Sequence, residues 1–131
     1  MLRARRLLAL ALVAASAAST AAQPGLSPTT AASGLPLALE QAAVAFAQAE
    51  LSFRVDPARK WLDGDASLTF VARQPLERLV VDLDRNYRID AVEVDGRAVD
   101  AAHWRNPEGR MTVDLPTPLA AGARTVLRIR Y

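Results

Sequence analysis

The feature that most constrains the fold of this chain is an alternation of apolar and polar residues, which continues from residue 51 to the last residue. A period of two places apolar side chains on one face of an extended strand and polar side chains on the other. The positions that alternate with polar residues, all apolar except Thr125, form successive short groups: Leu51, Phe53 and Val55; Ala66, Leu68, Phe70 and Ala72; Leu79, Val81 and Leu83; Ile89, Val92 and Val94; Met111, Val113 and Leu115; Thr125, Leu127, Ile129 and Tyr131. Each group predicts a strand.

Turn signals separate these strands, at Asp56-Pro57, Gln74-Pro75, Asp95-Gly96, Pro116-Thr117-Pro118 and Gly122. Asp95-Gly96 tolerates positive φ at both turn positions and therefore predicts a tight hairpin into Arg97-Ala98-Val99. Short strands at this spacing indicate an all-β antiparallel β-sandwich or barrel. Long helical segments are absent between the strands, which disfavours a parallel α/β sheet.

The N-terminus has the order of a secretory signal peptide. Arg3, Arg5 and Arg6 precede a run over 7–18 that is apolar except for Ser16, and small residues follow up to Ala22. The run has twelve residues, whereas a transmembrane helix needs about 20. We therefore expect a cleaved signal peptide at 1–22 and an exported product, periplasmic or extracellular, that makes no membrane contact after cleavage.

Between the signal peptide and the strands, a Pro- and Gly-rich segment predicts a flexible linker over 23–38. The alanine-rich segment that follows has helix propensity, so a short helix reaching about residue 49 is one interpretation. The other interpretation is that this segment is the ordered end of the linker. The β domain is expected over 50–131.

Charge and composition exclude several functions. The chain carries 16 basic and 14 acidic residues. Without the three arginines of the signal, 13 basic residues remain and the net charge is −1, so a nucleic-acid-binding role is not expected. With no cysteine and one histidine, the chain cannot build a zinc site of the usual Cys/His kinds.

Four groups of residues could carry chemistry, and each has a plainer interpretation that we prefer. His103 is interpreted as a loop residue, because no motif supplies a nucleophile or an orienting carboxylate. Asp63-Gly64-Asp65 lacks the later ligands of a calcium loop and is interpreted as a turn at the start of a strand.

Asp82 and Asp84 lie two residues apart on one face of a strand, about 7 Å from each other. That distance could suit the two carboxylates of a glycosidase, but such carboxylates lie on separate elements. Arg128 and Arg130 repeat the spacing with opposite charge, so cross-strand charge pairing on a solvent face is the preferred interpretation for both pairs. Trp61 and Trp104 could form a binding surface for a glycan or a peptide, although packing in the core or a hairpin is preferred.

The sequences of the predicted strands and turns, taken in order, resemble the N-terminal β domain of the aminopeptidase N-like zinc metallopeptidases (gluzincins). The resemblance covers about 80 residues and rests on five motifs: Val55-Asp56-Pro57; Gly64 to Val71; Val81-Asp82-Leu83-Asp84; Val92 to Gly96; and Leu119 to Gly122 followed by Arg128 to Tyr131. It implies a saddle-like sandwich beside a catalytic domain of the same longer polypeptide. In this family, one zinc ion held by two histidines and a glutamate serves the release of N-terminal residues from peptide substrates.

The chain departs from the family by lacking the His-Glu-x-x-His helix, its downstream glutamate and the Gly-x-Met-Glu-Asn loop. We therefore assign no catalytic, cofactor-binding or metal residue, and zinc is implied only for the parent enzyme. The leading hypothesis is an incomplete N-terminal portion of an exported zinc aminopeptidase. The alternative is a free-standing exported β-sandwich that binds glycans or proteins. Because a partial sandwich leaves apolar surface and strand edges uncovered, we predict that 23–131 alone aggregates or folds loosely.

Overall fold

A computed structural model describes residues 37–131 of the chain. The expected signal peptide and the expected linker up to residue 36 lie outside the described residues. The elements are α1 (Leu39–Ala42), β1 (Val44–Asp56), β2 (Trp61–Ala72), β3 (Leu76–Asp82), β4 (Ala91–Val94), β5 (Arg97–Ala98), a 3-10 turn (Ala101–His103), β6 (Trp104–Arg105), β7 (Arg110–Leu119) and β8 (Arg124–Arg130). Within 37–131, no helix is long and apolar enough to cross a membrane.

The strands form two antiparallel sheets, which confirms the predicted all-β sandwich class. Sheet 1 has the strand order β1-β2-β8-β4-β5, and sheet 2 has the order β3-β7-β6. Every strand pair is antiparallel, and the sheets do not close into a barrel. β8 lies in the middle of sheet 1, so the last strand of the sequence joins the earliest strands to β4.

The core lies between the two sheets, where the alternation of each strand directs its apolar residues inwards. Leu127, Met111 and Val113 are fully buried. The cluster contains residues of both sheets: Phe70, Ala72, Leu76, Leu79, Val92, Val94, Met111, Val113, Leu127 and Ile129. Burial of alternate residues on β7 and β8 follows the period-two pattern of the sequence.

The helical interpretation of the alanine-rich segment is wrong for most of its length. The helix α1 ends at Ala42, and β1 begins at Val44, so the boundary expected at residue 50 lies inside a strand. β1 pairs with β2 from Val44 opposite Ala72 onwards, with one irregularity between Phe46 and Gln48. Helix propensity differs by only tenths of a kcal/mol per residue among such residues, and the backbone ladder with β2 outweighs it.

The hairpin predicted at Asp95-Gly96 is confirmed. Asp95 has φ of 50° and Gly96 has φ of 75°, and the turn joins Val94 to its cross-strand partner Arg97. Positive φ at both central residues gives the turn a twist that matches the two strands.

β1 differs from the other long strands because the apolar residues of its second half remain exposed. Leu51, Phe53 and Val55 are 55%, 51% and 62% exposed. Their partners on β2 include the buried residues Ala66 and Gly64, so these side chains lie on the core-facing side of sheet 1. The second sheet does not cover this side of β1, and the alternation alone could not have shown that.

Candidate functional site

A cleft at one end of sheet 1 is lined by aromatic and charged side chains and has a volume of about 320 Å³. It is formed by the start of β2, the loop before β4 and the end of β8. We call it the aromatic cleft and define it by six of its lining residues: Trp61, Asp63, Tyr87, Arg88, Asp90 and Tyr131.

Backbone hydrogen bonds to the end of β8 hold these segments together. Tyr131 N–H donates to the carbonyl of Gly64 at 2.9 Å, and Asp90 N–H donates to the carbonyl of Arg130 at 2.8 Å. The loop is ordered by Asp84, whose carboxylate accepts the N–H of Asn86 at 2.9 Å. The loop and β2 therefore lie on opposite sides of the same strand end.

Three aromatic rings give the cleft its apolar surface. The rings of Tyr87 and Tyr131 have centroids 4.9 Å apart and an interplanar angle of 56°. Trp61 is 44% exposed and Tyr87 is 40% exposed. The indole Nε1 of Trp61 donates to Asp63 Oδ1 at 2.7 Å, which fixes the ring near the strand. Burial raises the pKa of the Tyr131 phenol, and the neighbouring Tyr87 adds to the effect.

The charges beside the cleft largely neutralise one another. A second, open depression of about 560 Å³ adjoins the cleft and shares Asp63, Asp90 and Tyr131 with it. Next to it, Arg128 donates to both carboxylate oxygens of Asp65 at 2.9 and 2.6 Å. These hydrogen bonds lower the pKa of Asp65. Within the cleft, Arg88 and Asp90 form a second ion pair at 3.0 Å.

The described residues contain no group of three or more His, Cys, Asp or Glu side chains that could hold a metal ion. The single histidine, His103, is exposed at the end of the 3-10 turn, in which the N–H of Ala102 donates to the carboxylate of Asp100. It is not among the residues that line either depression. The residues of 37–131 therefore do not fit a zinc ion of the kind that the family resemblance implies for the parent enzyme.

The structure places the two carboxylates singled out in the sequence on different features. Asp82, on β3, accepts from Arg110 of β7 at 3.5 Å, which confirms cross-strand charge pairing for this residue. Asp84 lies beyond the end of β3, where it orders the following turn. The pair is therefore not arranged as the acid and base of a glycosidase.

Arg128 and Arg130 lie in sheet 1, whereas Asp82 lies in sheet 2, so the two charge pairs do not face each other. The arginine partners are Asp65 on β2 and Glu93 on β4: Glu93 is 3.8 Å from Arg128 and 3.7 Å from Arg130. Cross-strand pairing is confirmed here as well, with partners that only the sheet order could identify.

Asp63-Gly64-Asp65 lies within β2, so its interpretation as a turn is wrong. Both carboxylates accept hydrogen bonds from neighbouring side chains on the sheet surface: Asp63 accepts from Trp61, and Asp65 accepts from Arg128. Gly64 allows the ring of Tyr131 to pack closely on β2, because a Cβ atom at this position would lie 2.5 Å from that ring.

The two tryptophans are separated by the fold. Trp104 begins β6 in sheet 2 and packs against the core, whereas Trp61 is exposed in the aromatic cleft. The core interpretation is thus confirmed for Trp104. Trp61 does not lie in the core but begins β2 at the β1–β2 hairpin, opposite Asp56. Tyr87 is a cleft residue that the sequence pattern does not indicate, since nothing in its loop points to an aromatic partner. Tyr131 carried a weak signal as the last position of an alternating strand.

The Gly64→Ala substitution should displace the ring of Tyr131. The added methyl group occupies the position of the ring, and the flexible side chain moves more easily than the paired strands. The pKa of Tyr131, which burial raises, should then fall towards the ordinary tyrosine value. Ultraviolet titration of the two tyrosines measures this, with Tyr131→Phe as the control that assigns the signal. An unchanged titration curve in Gly64→Ala would contradict the packing described above.

Comparison with known proteins shows structural similarity to zinc metallopeptidases. The chain matches the crystal structure of an M1 zinc metallopeptidase from Deinococcus radiodurans with a TM-score of 0.59 and 32% sequence identity. A mutant of that enzyme bound to a Tyr-Ser-Ala substrate matches with a TM-score of 0.61. Each match covers 70% of this chain and 21% of the other, so the chain spans about a fifth of the length of these structures. No protein-family model and no curated protein matches the sequence.

Proposed function

We propose that this chain is the N-terminal, non-catalytic β portion of an exported zinc-dependent aminopeptidase. The observation that carries the proposal is the likeness to the M1 zinc metallopeptidase, at 32% identity over 70% of the chain. At that identity the likeness extends beyond the shared sandwich architecture. The parent enzyme would remove N-terminal residues from peptides, using a zinc ion held by residues outside 37–131.

The positions of the five resembling motifs in the fold support the proposal. Val55-Asp56-Pro57 ends β1, Gly64 to Val71 lies within β2, and Val92 to Gly96 forms β4 with its hairpin turn. Val81-Asp82-Leu83-Asp84 ends β3, and the segments 119–122 and 128–131 lead into and end β8. Four of the five motifs thus mark strand ends and turns, where a shared fold constrains the sequence, and the fifth lies within β2.

The proposed role of this portion is structural. Its described residues offer no metal-binding group, so binding and polarising the substrate would fall to the catalytic domain of the same polypeptide, the proposed partner. The sandwich would support that domain and form part of the wall of the peptide-binding cleft. Export is part of the proposal and rests on the sequence of residues 1–22, which has the order of a signal peptide.

The decisive experiment is to sequence the coding DNA beyond the codon of Tyr131. We expect an in-frame His-Glu-x-x-His motif with a second glutamate downstream. The extended protein and the 131-residue chain are then assayed side by side with aminoacyl-arylamide substrates and zinc. The extended protein should hydrolyse them, whereas the 131-residue chain should neither hydrolyse them nor bind zinc at micromolar concentration. A stop codon after Tyr131, or zinc binding by the short chain, would contradict the proposal.

The aromatic cleft favours a second candidate, a free-standing module that binds glycans. Trp61 and Tyr87 expose ring surface beside the carboxylates of Asp63 and Asp90, a combination that suits stacking on a sugar and hydrogen bonding to its hydroxyl groups. Titration of oligosaccharides, followed by isothermal titration calorimetry, tests this candidate. Binding that is lost in Trp61→Ala and kept in Trp61→Phe would support it, and the absence of binding heat with any glycan would exclude it.

A further inference from the structure

The outer edge of β1 is the longest uncovered strand edge in the described part of the chain. β1 has 13 residues and pairs along one side only, with β2. A long, apolar strand edge presents unpaired backbone groups that can pair with another strand.

The hydrogen bonds of Gly64 show which residues of β1 direct their backbone groups outwards. Gly64 and Tyr131 exchange both of their backbone hydrogen bonds, so Gly64 is bonded to the β8 side of β2. In an antiparallel ladder the flanking residues direct their groups to the opposite side. Asp63 and Asp65 therefore bond towards β1, where their partners are Arg54 and Ser52.

Because backbone direction alternates along a strand, Leu51, Phe53 and Val55 direct their N–H and C=O groups away from β2. The same three residues carry the apolar side chains that are more than half exposed. Unpaired backbone groups and uncovered apolar surface thus coincide along one segment of the edge.

We propose that this edge pairs, antiparallel, with β1 of a second copy of the chain, in a register centred on Ser52. A symmetric dimer of this kind uses the same segment on both copies, so each contact occurs twice. The inference concerns the edge of sheet 1 and does not depend on the peptidase role.

Charge complementarity selects the register. Centring on Ser52 places Glu50 opposite Arg54 of the second copy, twice by symmetry, and Leu51 opposite Phe53 of the second copy. Centring on Phe53 would instead place Glu50 opposite the like-charged Asp56. Opposite charges across a strand pair stabilise it and like charges destabilise it. A register centred on Leu51 would pair Glu50 with Ser52 and leave the charges unmatched.

The register also joins the apolar surfaces of the two copies. Leu51 and Phe53 lie on the core-facing side of sheet 1, as their partners Ala66 and Gly64 show. In the dimer, Leu51 and Phe53 lie beside the same residues of the second copy. The exposed apolar edges of the two sheets then form one continuous apolar face. Burial of that surface adds to the backbone hydrogen bonds of the new strand pair.

Sedimentation equilibrium of residues 23–131, the product expected after cleavage of the signal peptide, tests the proposal over a range of concentrations. The unaltered product should show a monomer–dimer equilibrium in place of the aggregation expected from the sequence, because the second copy covers the open edge of β1. Glu50→Arg should weaken dimerisation by about tenfold to a hundredfold, since like charges then meet at both symmetric positions. Glu50 is exposed and faces Ser67 on β2, so the fold should be retained, and circular dichroism checks this.

A mixing experiment tests the register itself. Arg54→Glu should also weaken dimerisation of the chain with itself. An equimolar mixture of Glu50→Arg and Arg54→Glu restores opposite charges at both positions, so a heterodimer should form more tightly than either homodimer. If the mixture gains no heterodimer, the register centred on Ser52 is wrong.

A matched pair of variants at Phe53 tests the backbone edge. Phe53→Ala and Phe53→Pro both remove the ring, but only the proline also removes the outward N–H. Proline is tolerated at an edge position that donates no hydrogen bond within the sheet. The proline variant should therefore dimerise more weakly than the alanine variant. Equal dimerisation of the two variants, or an unaltered chain that stays monomeric up to about 1 mM, would overturn the proposal.

Discussion

Replacing Leu127 with alanine is expected to destabilise the fold by about 2–5 kcal/mol, the range found when large core residues are truncated. Leu127 is fully buried on the central strand β8, opposite Leu68 of β2 and Val94 of β4. Its side chain belongs to the cluster that joins the two sheets, so truncation leaves a cavity between them. Urea unfolding gives the free energy of unfolding for both proteins.

The matched control for Leu127→Ala is Arg124→Ala, on the same strand at an exposed position. This control should change the free energy of unfolding by no more than about 0.5 kcal/mol. Both are measured at one protein concentration, because dimerisation through β1 would make stability depend on concentration. Equal destabilisation by the two substitutions would show that the core does not lie where the structure places it.

The Asp95→Ala substitution is expected to cost about 1–3 kcal/mol, because it leaves a buried hydroxyl without an acceptor. Thr125 is 1% exposed, and its Oγ1 donates to the Asp95 carboxylate at 3.1–3.2 Å. The same carboxylate accepts the N–H of Val126 at 2.8 Å. Asp95 has φ of 50°, which alanine adopts less readily than aspartate. Two costs therefore add at one turn.

A double-mutant cycle separates the two costs. Thr125→Val removes the hydroxyl while keeping the shape of the side chain, so Asp95→Ala should be less costly in that background. Asp95→Asn, which retains a side-chain acceptor and the tolerance for positive φ, should cost less than Asp95→Ala. If Asp95→Ala is equally costly in both backgrounds, the hydrogen bond from Thr125 does not contribute to stability. Free energies of unfolding in urea again provide the measurement.

Thr125 shows what the alternation of the sequence predicts in this protein, namely burial, and what it does not predict, namely the hydrogen-bond partner. Its place in the alternation of β8 predicts an inward side chain, and it is indeed buried. The partner that makes this burial tolerable, Asp95, is thirty residues away in sequence. The sequence marked Asp95 only as a turn residue, because its contact with β8 depends on β4 lying beside that strand.

The candidate site was less predictable than the core. Strand patterning is local, whereas the aromatic cleft brings together Trp61, Tyr87 and Tyr131 from three separate segments. These three segments lie side by side only because β2 and the loop before β4 both form backbone hydrogen bonds with the end of β8. The likeness to zinc metallopeptidases was accessible from the order of the motifs, since four of the five mark turns and strand ends that the fold requires.

The alternation of the sequence by itself determined the all-β class, most strand positions and the Asp95-Gly96 hairpin, because side-chain direction in a strand has a period of two and turns require particular backbone angles. Only the tertiary structure decided that residues 44–49 extend β1 and that Leu51, Phe53 and Val55 stay exposed. The physical reason is that periodicity specifies which face a side chain occupies, whereas burial depends on what packs against that face. For β1, the described sheets cover one edge and leave the other open to a partner.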